Sequence, residues 1–299
     1  GRVRAGPADR GTAGGNTADD VVLHGLHVSP DLDTVTYTLA EAGNPETGWG
    51  LAGETWQAMD ALDRFGGPTW FRLGDRDLGT HLYRTGRLAE DAGLTTVTAE
   101  ITQAWGLKTT LLPMTEDPVT TMVTLDEGEG AGGEVGFQEY FVRLGHSVAV
   151  RSLRFAGADA ARPGPGVLEA LAQADAVVIA PSNPVVSIGP LLAVPGIADA
   201  LQARRSATVA VSPIVAGKAL KGPADRLLRE LGHEASVVGV ARLYRDLAAT
   251  LVVDRADADL ADAVEAEGVA CVVTDAVMSS PEVAAELSRR ILSCVGVAT

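Results

Sequence analysis

Four short runs of apolar, mainly β-branched residues limit the folds open to this chain. The runs are Ala176–Ala180, Ala207–Val211, Leu251–Val253 and Cys271–Val273, and helical patterns such as Pro223–Leu231 and Asp257–Glu267 lie between them. Continuous apolar runs are typical of strands buried on both faces, as in parallel sheets covered by helices. We therefore predict an α/β fold with a Rossmann-like, doubly wound, mainly parallel sheet.

The middle of the chain has a different pattern. Apolar spacing favours helices from Asp77 to Trp105, whereas Met122–Leu125 and Val135–Phe137 resemble a hairpin around a Gly-rich stretch. Trp70–Leu73 looks like a strand. We predict a single domain over residues 1–299, with a helical and hairpin cap inserted at about 77–150.

Composition excludes several classes of protein. The 299 residues are 46% hydrophobic, enough for a large core, and the net charge of −15 argues against nucleic-acid binding. No apolar run is long enough for a bilayer and no signal peptide is visible, so we expect a cytoplasmic protein with no membrane partner. Cys271 and Cys294 stand apart from each other, which favours a reducing compartment and a small-residue role in the core.

Polar residues follow the first apolar run. Ser182 and Asn183 come directly after it, and the chain restarts at Ser187 and Gly189. In parallel sheets ligands bind past the carboxyl ends of the strands, and we expect free backbone N–H groups around residues 187–189 to meet an anion. A simple Ser-Asn-Pro turn is the alternative.

A second loop of this kind follows the next apolar run. It contains Ser212, Gly217, Lys218 and Lys221, and two lysines in so acidic a chain suggest a phosphate site. A solvated lysine pair is the alternative. Ala219 follows Gly217-Lys218, so the loop is not a P-loop.

Carboxylates cluster near the start, at Asp19, Asp20, Asp31 and Asp33. Such oxygen ligands suit Mg²⁺, which binds one or two carboxylates together with substrate phosphates. Capping of a helix over Thr34–Leu39 by Asp31 or Asp33 is the alternative. The polar group Asp75, Arg76, Asp77 and His81 is either functional or a surface salt-bridge set.

Motifs in this order and spacing resemble the 2-phospho-lactate transferase family, from Asn16 to the C-terminus. The motifs are NTADD, HGL, SPDLDT, the WG at Trp49-Gly50, LGDRDLGTH, LLPMTEDPV, GFQEYFV, APSNPVVSIGP, VPGI and SPIVAGKALKGPAD. The resemblance implies a homodimeric, Mg²⁺-dependent enzyme of coenzyme F-420 biosynthesis. Such an enzyme moves a phospho-lactyl or phospho-enolpyruvyl group from a guanosine-diphosphate-activated donor to the deazaflavin alcohol Fo, releasing GMP.

The resemblance also implies roles for individual residues. Asp33 and Arg72 match positions that contact Fo, and we predict Asp33 as the base that accepts the Fo hydroxyl proton. From the residues themselves we expect at least one of Asp19, Asp20, Asp31 and Asp33, with the first three as the preferred ligands, to hold the ion, which bridges donor phosphate oxygens. The predicted donor-binding residues are Ser182, Asn183, Ser187, Gly189, Ser212, Gly217 and Lys218.

The opening residues depart from the family pattern. Family members have a strand, a Gly-rich phosphate loop, a helix and a second strand before NTADD, whereas residues 1–15 read GRVRAGPADRGTAGG. We interpret residues 1–15 as an atypical arm without a strand. A missing phosphate loop puts the activity of the chain in question.

Other functions and finer details are open at this point. A nucleotide-sugar-binding regulatory protein of the same fold is the alternative function, and a nicotinamide dehydrogenase is disfavoured because no G-x-G-x-x-G follows a strand. Trp105, Met114 and Phe137 are either a slot for the deazaflavin or core residues. The Ala-, Arg- and Val-rich composition suggests a GC-rich genome, and actinobacterial members of the family are associated with the enolpyruvyl donor. An apolar pocket separates the two donors only weakly, so we expect turnover of both with a preference for the enolpyruvyl one.

Overall fold

The computed structural model describes residues 11–126 and 133–297. These residues form two compact units. An N-terminal unit contains 11–126, 133–149 and 153–165, and a C-terminal unit contains 150–152 and 166–297. The expectation of a single domain with a cap inserted at about 77–150 stays a prediction.

Strands and helices alternate through much of the chain. The strands are β1 (Thr12–Gly15), β2 (Val21–Leu23), β3 (Leu26–Val28), β4 (Thr110–Pro113), β5 (Thr120–Leu125), β6 (Glu134–Gly136), β7 (Val150–Ala156), β8 (Val177–Ile179), β9 (Thr208–Val211), β10 (Ile214–Val215), β11 (Lys218–Ala219), β12 (Thr250–Asp254) and β13 (Ala270–Thr274). The α-helices are α1 (Pro30–Leu39), α2 (Gln57–Arg64), α3 (Asp77–Ala89), α4 (Leu94–Ala104), α5 (Val167–Gln173), α6 (Gly189–Ala193), α7 (Ile197–Ala203), α8 (Ala224–Glu230), α9 (Val237–Tyr244), α10 (Ala261–Ala266) and α11 (Pro281–Cys294). Short π or 3₁₀ turns occupy Glu139–Arg143, Ala158–Ala160, Pro184–Ile188, Arg205–Ala207 and Arg255–Leu260.

The C-terminal unit is built on a parallel sheet of strand order β13-β12-β9-β8. Val252 of β12 pairs with Val211 on one side and with Val272 on the other. Val209, Val211 and Val252 are buried against Leu287 and Ile291 of α11. The four apolar runs therefore form the strands that the sequence predicted, and the α/β fold with a parallel sheet is confirmed.

The N-terminal unit contains a parallel pair, β1 with β4, in which Gly15 pairs with Pro113. This strand corrects the interpretation of residues 1–15 as a strandless arm; residues 1–10 lie outside the described residues. A Cβ at Gly15 would lie 2.4 Å from Leu32 Cδ2. Gly15 therefore lets α1 pack closely on β1. Glycine has a low strand propensity, so the sequence alone did not indicate a strand here.

The stretch at 77–150 contains the expected helices and hairpin. α3 and α4 confirm the helical pattern, and β5 and β6 form an antiparallel pair, although most of the Gly-rich stretch between them lies outside the described residues. The strand β4 lies in the same stretch and pairs with β1, so the structure does not set 77–150 apart as an insertion.

Trp70–Leu73 is not a strand, contrary to the prediction. Leu73 is buried in a cluster with Leu23 and Met59, and Trp70 and Phe71 pack against the same cluster. The apolar residues of this run are therefore explained by their packing against the cluster, and their resemblance to a strand pattern is coincidental.

Two carboxylates cap helices across the sequence. Asp75 accepts hydrogen bonds from the backbone N–H of Gln57 (2.9 Å) and Ala58 (3.0 Å) at the start of α2. Glu54 accepts from the backbone N–H of Arg76 and Asp77, both at 2.9 Å, at the start of α3. The Thr55 hydroxyl and the backbone N–H groups of Ala58 and Gln57 lower the pKa of Asp75. Asp75 of the LGDRD motif therefore caps α2, and the motif's Arg76 and Asp77 are capped by Glu54 at the start of α3. Helix capping is a role for this motif that the sequence did not indicate beside function and surface ion pairing.

In the part of the chain that the structure describes, no single helix has the length and apolar character needed to cross a membrane. Two segments, Pro184–Ala193 and Ile197–Ala203, meet those criteria only as a pair, and that pair is bent by 98°.

Candidate active site

The first candidate cluster follows β1. Asn16 comes directly after the strand, and its Oδ1 accepts a hydrogen bond from Ala18 N–H at 2.9 Å, which makes an Asx turn. A second turn follows, because Asp20 N–H donates to Thr17 O at 3.3 Å. The loop therefore presents its acidic residues at the carboxyl edge of the β1–β4 pair, the edge where ligands bind in such sheets.

One amide joins two of the carboxylates. Asn16 Nδ2 donates to Asp19 Oδ2 at 2.8 Å and to Asp31 Oδ2 at 3.1 Å. Pro30 stands at the first position of α1, which places Asp31 in the first turn of that helix. Asp19 Oδ1 and the Thr121 hydroxyl are both buried without a well-formed hydrogen bond among the described residues, and the nearby Thr121 hydroxyl acts to lower the pKa of Asp19.

The negative charges of Asp19 and Asp31 are not neutralised by the Asn16 amide that joins them. Burial raises the pKa of Asp19 well above its ordinary value, and the nearby Asp31 carboxylate raises it further. Burial and the Asp20 carboxylate raise the pKa of Asp31 to about 6. Each carboxylate makes ionisation of its neighbours harder, which is the electrostatic condition that a bound cation relieves.

Asp20 has protein partners at one oxygen, Oδ2, whereas its Oδ1 is buried without a hydrogen bond among the described residues. Its Oδ2 accepts a hydrogen bond from Ser29 Oγ at 2.6 Å and lies 2.9 Å from His27 Nε2. Residues 11–126 and 133–297 contain no group of three or more His, Cys, Asp or Glu side chains arranged to hold a metal ion. Asp19, Asp20 and Asp31 are therefore not arranged as a three-carboxylate site, and the prediction that at least one of them holds the ion stays a prediction. Asp19 and Asp31 fit the one or two carboxylates that Mg²⁺ requires.

Asp33 forms a buried ion pair with Arg84. Arg84 Nη1 donates to Asp33 Oδ2 at 3.1 Å, Nη2 donates to Oδ1, and the two residues are 1% and 5% exposed. Burial raises the pKa of Asp33 above its ordinary value, although the Arg84 guanidinium acts in the opposite direction. The ion pair ties α1 to α3, and the role of Asp33 as a base stays a prediction.

The capping alternative for these aspartates is also corrected. Helix α1 begins at Pro30, so Asp31 and Asp33 lie within its first turn and do not precede a helix starting at Thr34. Their position near the helix N-terminus is favourable for negative charge.

The ion pair continues into a polar network on α3. His81 Nδ1 lies 3.7 Å from Asp33 Oδ2, and His81 Nε2 lies 3.3 Å from Asp77 Oδ2. Tyr37 OH donates to Asp77 Oδ1 at 2.5 Å. Sequence reasoning missed Tyr37 and Arg84, although the spacing of Asp77, His81 and Arg84 places all three on one face of a helix.

Arg72, the other residue predicted to contact Fo, makes its contacts outside this network. Arg72 is exposed, donates to Asp60 Oδ1 at 2.9 Å and lies over the Trp56 ring at 4.9 Å. No hydrogen bond or ion pair within the described ranges joins Arg72 to Asp33.

The three predicted slot residues make separate contacts. Trp105 meets Tyr37 edge-on at 5.5 Å, Phe137 stacks on Phe141 at 5.4 Å, and Met114 is fully buried. These contacts favour the core-packing alternative for Met114.

The second candidate cluster lies in the C-terminal unit, after β8. Asn183 Oδ1 accepts from Val185 N–H at 3.0 Å, and Asn183 O accepts from Ser187 N–H at 3.0 Å and Ile188 N–H at 3.1 Å. Gly189 N–H bonds to Pro184 O. The prediction of free N–H groups at residues 187–189 is therefore wrong, because the π turn that begins at Pro184 uses them.

The lysine-bearing loop after β9 is a hairpin. Ser212 Oγ accepts from Ile214 N–H at 3.1 Å and donates to Ile214 O at 2.9 Å, which fixes its start. β10 and β11 then pair across a turn at Ala216 and Gly217, whose φ angles are 50° and 74°. We call residues 214–219 the lysine hairpin, since Lys218 is exposed on it.

The two loops of the second cluster lie at one edge of the sheet. β8 and β9 are adjacent and parallel, and both loops follow their carboxyl ends. α8, which follows the lysine hairpin, contacts the Pro184–Ile188 turn. The predicted donor-binding residues are thus brought to the same side of the C-terminal unit.

Comparison with solved structures defines the class of protein. Two crystal structures of a UPF0052-family protein from Bacillus halodurans match 94% of this chain at 18% identity, with TM-scores of 0.57 and 0.58 and with 90% and 91% of those chains covered. This likeness shows the fold, a mixed α/β architecture with parallel sheets.

Sequence comparison gives the family. The model of the family described as 2-phospho-L-lactate transferase CofD matches residues 8–291. The chain is 46% identical over 290 residues to a phosphoenolpyruvate transferase of Kitasatospora aureofaciens, with 96% of this chain and 90% of that protein covered. A phosphoenolpyruvate transferase of Mycolicibacterium smegmatis is 40% identical over 288 residues, with 96% and 88% covered. The chain belongs to the CofD family, and it is a transferase of coenzyme F-420 biosynthesis, as its motifs predicted.

Replacing Arg84 with Met should lower the free energy of unfolding by about 3–5 kcal/mol, because the Asp33 carboxylate is left buried without its partner. Urea unfolding followed by circular dichroism measures the change. Arg87→Met on the same helix is the control, because Arg87 pairs with Glu100 near the surface and its loss should cost far less.

The double variant Asp33→Leu/Arg84→Met separates charge from packing. It should recover most of the lost stability, since both charges are removed together. Wild-type stability of the single Arg84→Met variant would contradict the assignment of a buried ion pair.

The raised pKa of Asp31 predicts a dependence of stability on pH in metal-free buffer. The folded-state pKa of about 6 exceeds the ordinary value of 3.8, so the stabilising contribution of protonated Asp31 is present below pH 3.8 and is lost as pH rises through about 6. The Asp31→Asn variant has no carboxyl group at residue 31, so its stability does not fall for this reason as pH rises. Its unfolding free energy should therefore increase relative to wild type between about pH 4 and 7, measured in chelator by urea titration. A difference that is constant with pH would contradict the uncompensated charge.

Proposed function

We propose that this chain transfers a phospho-enolpyruvyl group from a guanosine-diphosphate-activated donor to the hydroxyl of Fo, forming a phosphodiester and releasing GMP. The observation that carries the proposal is the pair of carboxylates joined by the Asn16 amide, at the carboxyl edge of β1–β4 in a CofD-family chain. The names of the relatives, phosphoenolpyruvate transferases, support the enolpyruvyl group.

Asp19 and Asp31 are the proposed ligands of Mg²⁺. The Asn16 amide that the two carboxylates share and the raised pKa of both support this choice. Asp20 Oδ1 also lacks a hydrogen bond, but Asp20 does not share the Asn16 amide and its Oδ2 is held by His27 and Ser29. When bound, Mg²⁺ supplies neutralisation of negative charge on phosphoryl oxygens. Asn16 holds the two carboxylates together for that purpose.

Asp33 and Arg72 are the proposed contacts of Fo, as the family resemblance implied. The ion pair with Arg84 engages both oxygens of Asp33, which fits a role in shaping the pocket, and its raised pKa supports the proposal that it also accepts the Fo hydroxyl proton. Arg72 is exposed and already lies over the Trp56 ring, an arrangement that can place a flat aromatic ring beside a cation.

Lys218 is the proposed contact of the donor diphosphate in the C-terminal unit. Its ammonium is exposed at the carboxyl edge of the sheet, on a hairpin whose backbone is fixed by Ser212. Phosphate recognition in so acidic a chain depends on such placed cations. Ser182, Asn183, Ser187, Gly189 and Gly217 are the neighbouring residues at that edge.

A product assay tests the proposed function. Wild-type protein is incubated with Fo, Mg²⁺ and either the enolpyruvyl or the lactyl guanosine-diphosphate donor, and product mass is measured by mass spectrometry. We expect turnover of both donors with a preference for the enolpyruvyl one, because an apolar pocket separates such shapes by only about 1–3 kcal/mol.

Each outcome of that assay has a clear meaning. Exclusive use of the lactyl donor would overturn the choice of donor and leave the reaction class standing. Binding of a guanosine nucleotide without any product from either donor would support a regulatory binding protein instead.

A further inference from the structure

The turn of the lysine hairpin is held by side chains from outside it. Ile214 pairs with Ala219 and Val215 with Lys218, so the turn itself consists of Ala216 and Gly217. Ala216 adopts a φ of 50°, a left-handed conformation that disfavours residues with a Cβ. Such a conformation persists only where the surroundings fix it.

Asp257 is the main outside contact. It is 3% exposed, and its two carboxylate oxygens lie 3.1 Å and 3.0 Å from Ala216 N, whose N–H donates to them. Asp257 lies in the 3₁₀ turn that follows β12, and β12 is the neighbour of β9 in the sheet. A buried carboxylate from one strand end therefore holds the turn that follows the next strand.

Arg229 holds the other residue of the turn. Its Nη2 donates to Gly217 O at 3.0 Å, and its Nη1 donates to Asp225 Oδ2 at 2.8 Å. Ala219 N–H donates to Asp225 Oδ1 at 3.4 Å. Contacts on both sides of the backbone fix the hairpin while the side chain of Lys218 stays exposed.

A buried charge whose described partner is one backbone N–H is an expensive way to stabilise a turn. An apolar side chain at residue 257 would avoid the desolvation of a carboxylate. Accepting the Ala216 N–H and so holding Ala216 in its left-handed conformation is what Asp257 does that an apolar residue cannot do, and Lys218 lies two residues after Ala216 in the same hairpin.

We propose that Asp257 is a positioning residue, which fixes the Ala216–Gly217 turn so that Lys218 is presented to a nucleoside diphosphate. This inference rests on the proposed function, because it takes Lys218 as a contact of the donor diphosphate. A fixed lysine loses less conformational freedom on binding than a mobile one, so releasing the turn weakens affinity.

Isothermal titration calorimetry with GDP and Mg²⁺ tests the proposal on the full chain. We expect Lys218→Ala to weaken GDP binding about tenfold, and Asp257→Ala to weaken it by a similar factor. The double variant should bind no more weakly than Lys218→Ala alone, because both changes remove one interaction. Asp257→Asn retains an acceptor oxygen and should restore most of the affinity, whereas exposed Asp262→Ala is the matched control and should behave as wild type.

The outcomes separate this inference from the proposed function. Wild-type affinity in Asp257→Ala, or weakening that adds fully to that of Lys218→Ala, overturns the positioning role alone. Wild-type affinity in Lys218→Ala, or no GDP binding by the wild-type chain, overturns the donor role of the lysine hairpin and this inference with it. If Asp257→Ala does not fold, Arg229→Ala releases the same turn from the surface, and its loss of affinity should also be absent in the Lys218→Ala background.

Discussion

The shortage of positive charge around Asn16 is the constraint on which the N-terminal unit depends. Arg84, the cation buried among these aspartates, is committed to Asp33, and Asp20 has His27 and Ser29 as partners. Asp19 and Asp31 are left to share one neutral amide. An amide fixes the geometry of two carboxylates without neutralising them, so the pair is suited to a cation from outside the chain.

Local structure explains how two distant carboxylates reach the same amide. β1 ends at Gly15, the Asx turn at Asn16 redirects the chain, and Pro30 sets the start of α1. Gly15 allows Leu32 to approach the strand, which brings the first turn of α1 to the strand end. The same principle operates in the C-terminal unit, where loops after β9 and β12 meet through Asp257 and Ala216.

The parallel sheet of the C-terminal unit was predictable, because apolar runs such as 251–253 have no other stable environment in a protein of this kind. β1 was not predictable, because the residues Thr12–Gly15 have low strand propensity and depend on pairing with β4. The aspartates of the acidic cluster were found from the sequence, but their division between Arg84, His27 and Asn16 depends on tertiary contacts that no spacing shows. The expectation of free N–H groups at residues 187–189 failed because a π turn capped by Asn183 begins at Pro184, and its hydrogen bonds use those N–H groups.

Binding of Mn²⁺ in place of Mg²⁺, followed by electron paramagnetic resonance, tests the carboxylate pair most directly, since Mn²⁺ accepts the same oxygen ligands. Wild-type protein should bind a single Mn²⁺ ion, and Asp31→Asn should weaken that binding at least tenfold. The exposed Asp262→Asn is the control and should leave binding unchanged. Absence of Mn²⁺ binding by the wild-type chain, or unchanged binding by Asp31→Asn, would contradict the account.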